Sequence, residues 1–193
     1  MNSDQLRNIQ EYCDNIGEVI TKCRVYIHVL RGLHLGRVEN PESSEAYGVA
    51  IDAMYRSTWE ALFAAFGTLI DSTKSTYSLH MLITKVQRYA AQDHPIKKTV
   101  IGIRKELQDP KNRAFVSMKL WRMKFVAHHT REARSEGFHS ENKIHFDEVE
   151  TAVGHMEEMV NKISQELLNA RYTFRLPDSA EIENQLKRLF AAM

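Results

Sequence analysis

Apolar residues at Leu6, Ile9, Cys13, Ile16, Ile20, Cys23, Ile27 and Leu30 recur at alternating spacings of three and four. That period gathers them on one face of a helix, so a long amphipathic helix is predicted over 3–34, with Ser3 or Asp4 as its N-cap. The segment 35–46, with Gly36 and Pro41 among polar residues, reads as a connection. A second helix is expected over about 46–71. Between Trp59 and Ile70 it is apolar on nearly every side, as in a helix touched by neighbours on more than one face. A polar turn, 72–78, precedes a helix over about 79–91 with Leu79, Leu82, Ile83 and Val86 inward. Pro95 and Pro110 mark two further helix starts, because proline in the first helical position sacrifices no hydrogen bond. Asp109 is a natural cap for the second, which is expected to reach His129 or Thr130. The polar stretch 131–145, containing Gly137, reads as a loop. A second regular stripe follows at Phe146, Val149, Val153, Met156, Val160, Ile163 and Leu167. After Leu176-Pro177, Asp178 and Glu181 form a capping-box pattern that opens a short helix over 178–190.

No strand-like alternation of useful length and no tandem repeat interrupts this pattern. The expected fold is all-α: an antiparallel helical bundle of long helices with additional short ones. At 193 residues the chain is expected to form one domain over 1–193, without staples. Its 43% hydrophobic and 26% charged composition is ordinary for a globular protein, and 8 Gly with 4 Pro is low for a turn-rich β protein. The two cysteines, Cys13 and Cys23, share the apolar stripe about 15 Å apart along one helix, too far to bridge, and read as buried thiols. The first thirty residues carry charges throughout and no apolar run approaches bilayer length, so the expected location is the cytoplasm, with no membrane partner.

Common catalytic signatures are missing. There is no Gly-rich phosphate cradle, no nucleophile elbow and no HExxH zinc motif. The Glu-x-x-His spacing of di-iron bundles occurs once, at Glu136 to His139, within the polar loop, and no two of the nine histidines are four apart. Neither a metal nor an organic cofactor is therefore expected. Charge, by contrast, is segregated. Eleven basic and three acidic residues lie between Lys97 and Arg134, a local +8 in a chain of net charge +1. Such a stretch is either a solvated face or the footprint of a phosphate-rich ligand.

Within it, the helical spacing from Phe115 and Met118 continues through Arg122 to Phe125 and His129. A guanidinium on a buried stripe is costly unless paired, so a carboxylate, a subunit partner or a phosphate is expected beside Arg122. Asp71, at the end of the apolar helix, either pairs with it or simply ends that helix.

The run Arg122-Met123-Lys124-Phe125-Val126-Ala127-His128, near the end of a helix in an all-α chain, resembles the Arg-x4–6-His motif of the HEPN superfamily. The closer likeness is to its abortive-infection U-type (AbiU-like) branch of bacterial phage-defence proteins. It covers a core of about 45–170, including Leu69-Ile70-Asp71 and Ser78-Leu79. The resemblance implies a helical bundle that dimerises and a metal-independent endoribonuclease. It also implies RNA as partner and a possible antitoxin or other regulatory protein. Arg122 and His128 become the catalytic pair. At about 100° per residue, however, His129 lies nearer to Arg122 around the helix than His128 does, so both histidines stay candidates. Lys124, Lys119 and Arg131 are candidate phosphate contacts, and Asp71 a candidate support for Arg122. Met123 departs from the polar residue that active HEPN nucleases often carry after the arginine. Two other readings fit the same residues: a non-catalytic module of this fold that binds RNA, a nucleotide or a protein, and a purely structural homo-oligomeric bundle.

Overall fold

The structure, a computed structural model, describes residues 1–123, 144–174 and 179–192. Among them are eight α-helices and no strand: α1 (Ser3–Glu39), α2 (Pro41–Ala46), α3 (Gly48–Leu69), α4 (Leu79–Tyr89), α5 (Ile96–Gln108), α6 (Arg113–Trp121), α7 (Phe146–Leu168) and α8 (Ser179–Ala192). The all-α bundle expected from the apolar periodicity is what forms.

α1 is the mast of the bundle, packing against α2, α3, α4, α7 and α8. Its stripe is buried as the spacing required, with Ile9, Cys13, Ile16, Ile20, Cys23, Ile27 and Leu30 all but sealed from solvent. The stripes of α3 to α7 close on it to make one large core. A smaller cluster of Leu33, Ile51 and Phe190 sits beyond. Polar contacts lace α1 to its neighbours at the rim: ion pairs of Arg24 with Glu157 and of Arg31 with Glu150 at 2.7 Å, and a hydrogen bond between His28 and Glu183 at 2.7 Å.

The other side of α1 carries notches. A methyl at Gly36 would lie 2.5 Å from the Phe190 ring, and one at Gly32 would meet Leu186 at 2.7 Å. Only glycine lets α8 approach this closely. Gly36 is therefore a packing residue inside α1, which runs on to Glu39; the expected connection from residue 35 shrinks to Asn40 and the short helix that Pro41 opens.

The caps also differ from expectation. Asn2, not Ser3 or Asp4, caps α1: its side-chain oxygen accepts from the Gln5 N–H (2.9 Å) while the Gln5 side chain accepts from the Asn2 N–H (3.0 Å). Asn112, not Asp109, caps α6 by accepting from the Phe115 N–H. Asp109 accepts instead from the Lys111 N–H at 2.8 Å, which makes 109–112 a turn with Pro110 inside it and delays the helix to Arg113. Ser78 caps α4.

Candidate functional site

The site is assembled by two helices that meet at their C-terminal ends. On α3, residues four apart form a ridge: Tyr55, Trp59, Phe63, Gly67 and then Asp71 just past the helix. On α6, Phe115, Met118 and Trp121 are buried against the bundle. Trp121 stacks on Phe63, with centroids 5.5 Å apart and planes 14° from parallel. Trp59 stacks in turn on Phe63 (5.2 Å) and on Phe146 at the start of α7 (5.5 Å). The aromatic stack pins the end of α6 against α3, so the residue after Trp121 falls beside the next step of the ridge.

That residue is Arg122. Its side chain crosses α3 at Gly67, where an added methyl would overlap Arg122 Cδ and Nε. Its Nη2 then lies 3.8 Å from Asp71 Oδ2, with the two side chains 38% and 24% exposed. This is an ion pair longer than a hydrogen bond, so Asp71 occupies none of the guanidinium donors. Asp71 is itself anchored: its Oδ1 accepts from the Thr73 N–H at 2.8 Å and the Thr73 hydroxyl at 2.7 Å. The Ser78 hydroxyl donates to the Asp71 carbonyl. The Thr73 hydroxyl and amide, with help from the Arg122 charge, hold the Asp71 carboxyl below its usual range.

The α-helical winding of α6 ends at Trp121, and Arg122 and Met123 are π-wound. π-winding is frequent at functional positions. The rest of the helix expected to reach His129 lies outside the described residues. Lys124, His128, His129 and Arg131 lie outside the described residues.

The structure thus brings Arg122 and Asp71 together. Lys119 is placed elsewhere: its Nζ donates to the Leu107 carbonyl (2.8 Å) at the end of α5, and burial there lowers its pKa. Gly67 and Thr73 were not singled out from the sequence. A glycine in the middle of an apolar helical run is the one signal that pointed to Gly67, since it marks a close approach. Among the described residues no group of three His, Cys, Asp or Glu is placed to hold a metal ion, and no helix is long and apolar enough to cross a membrane.

The family model for AbiU2, a HEPN group, matches residues 9–188. The chain belongs to the HEPN AbiU2 family. This match is wider than the 45–170 core of the sequence resemblance, because α1 and α8 pack into the bundle and belong to it. It makes the chain an abortive-infection HEPN domain, and Arg122 falls within the matched span. No curated protein and no solved structure matches the chain.

Proposed function

We propose that this protein is a HEPN endoribonuclease that cuts RNA without a metal ion, as an effector of bacterial phage defence. The observation that carries the reading is Arg122 itself: a guanidinium half open to solvent, seated against a carboxylate that does not consume its donors. In this reading the RNA 2′-hydroxyl attacks the adjacent phosphorus. The O2′–P bond forms and the P–O5′ bond breaks, leaving a 2′,3′-cyclic phosphate and a 5′-hydroxyl. Arg122 binds the charge that grows on the phosphoryl oxygens. His128, with His129 as the other candidate, takes the proton from the 2′-hydroxyl and returns one to the leaving oxygen. Lys119, Lys124 and Arg131 belong to the basic stretch that would draw in the RNA backbone. A second copy of the chain, and an antitoxin or regulatory protein, are the further partners this reading calls for, with the cytoplasm as the place of action.

The test is incubation of the purified protein with RNA in EDTA. Cleavage with cyclic-phosphate ends, lost in Arg122→Ala and His128→Ala, is the expected result. RNA left intact at high protein concentration would reject the nuclease. The second reading, RNA binding without cleavage, is favoured by Met123, an apolar residue 47% exposed directly after the arginine. It predicts salt-sensitive binding with intact RNA.

A further inference from the structure

We propose that the start of the α3–α4 connection is a built seat for the Arg122 guanidinium: Asp71 is its positioning carboxylate, and Gly67 is the clearance through which its side chain crosses α3. The catalytic consequence rests on the nuclease reading; the seat does not.

Three observations converge on it. First, the space above Gly67 is crossed by Arg122. The three atoms nearest to an added methyl are all from that side chain, so the missing methyl makes room for the arginine. A glycine here weakens the helix relative to alanine, which asks for a reason. Second, the two oxygens of Asp71 have separate duties. Oδ1 is occupied by both Thr73 donors, and Oδ2 faces Arg122. Third, the turn that holds Asp71 is fixed at its far end, where Ser78 both donates to the Asp71 carbonyl and accepts from the Met81 N–H that starts α4. The carboxylate is therefore set by the backbone of two helices rather than by its own rotamer freedom. It meets a guanidinium delivered by a third helix. An ion pair of 3.8 Å orients the fork without closing it, so a phosphate can take the open donors while Asp71 keeps the charge in register.

Asp71→Asn separates the two duties, because the amide oxygen still accepts from Thr73 while the charge facing Arg122 disappears. Gly67→Ala blocks the crossing. Gly102→Ala, where a methyl meets nothing within 4 Å, is the control. Two measurements apply: the 15N-detected Arg122 Nε–H resonance without substrate, and kcat and KM for RNA cleavage in EDTA. The seat predicts that this resonance moves in Asp71→Asn and Gly67→Ala and stays in Gly102→Ala. It also predicts a fall in kcat of about 10- to 100-fold for Asp71→Asn, with KM and melting temperature near wild type. Gly67→Ala should approach Arg122→Ala in activity while melting no lower than wild type, since alanine is the better helix residue. An unmoved resonance in both variants, or cleavage at wild-type kcat in both, overturns the seat. Intact RNA with the wild-type protein overturns the nuclease reading alone, and the resonance then decides the seat by itself.

Discussion

Trp121 lies almost parallel to Phe63, and this stack sets the point on α3 where the Arg122 side chain begins to cross. Trp121 is 8% exposed and Phe63 2%. Trp121→Ala should therefore cost about 3–5 kcal/mol of stability and release the end of α6. Trp121→Phe keeps an aromatic face on Phe63 and should retain most of both stability and cleavage. Urea denaturation beside RNA cleavage at a temperature where both variants are folded checks the pair.

Arg122 is half exposed, so its removal should spare the fold and strike the chemistry. Arg122→Ala is expected to lower single-turnover cleavage by about 10²–10³ with a melting temperature near wild type. Arg122→Lys should not restore it, because an ammonium lacks the planar fork that spans two phosphoryl oxygens. Restoration by lysine would show that charge alone suffices.

The contact of Gly36 with Phe190 predicts an asymmetric pair of glycine variants. A methyl at Gly36 meets a ring that is 1% exposed and backed by Leu33 and Ile51, so Gly36→Ala should destabilise by about 1–3 kcal/mol. A methyl at Gly154, within α7, meets nothing within 4 Å, and Gly154→Ala should gain about 0.5–1 kcal/mol from helix propensity. Equal denaturation midpoints for the two variants would contradict the packing described.

Both thiols are sealed in the α1 stripe, and burial pushes Cys13 and Cys23 up to about 12 from 9.0. The sign follows from the neutral form being the one the fold prefers. Below pH 9 both native and unfolded chains keep the protons, and the thiols add no pH dependence. Between pH 9 and about 12 the unfolded chain loses protons that the native chain holds, so stability declines. Replacing both cysteines with alanine should flatten that decline. Thiol labelling of the native protein at pH 8 should be slow until denaturant is added.

The apolar stripes of α1 and α7 were legible because their period is local, and each predicted face is the face that is buried. Asp71 beside Arg122 was also within reach, because a costly guanidinium on a buried stripe demands a partner. The caps were not. Asn2 and Asn112 compete with Ser3, Asp4 and Asp109 within a few residues, and which oxygen reaches the third amide depends on the turn each side chain builds. Gly36 was misread as part of a break because its reason, Phe190, lies near the far end of the chain. Gly67 had the same kind of hidden cause: its partner is a side chain on another helix. Local punctuation and long-range clearance use the same residue, and only the fold separates them.

The pairing of α1 with α8 joins parts of the chain as remote as His28 and Glu183, 155 residues apart. Translation delivers α8 after the seven helices before it. Until then the cleft beside Gly32 and Gly36 stays open, with Leu33 and Ile51 lacking the Phe190 ring that covers them in the finished protein. Closure of this end of the bundle thus waits for α8, and a nascent polypeptide halted after α7 would carry a sticky apolar cleft for chaperones and proteases to find.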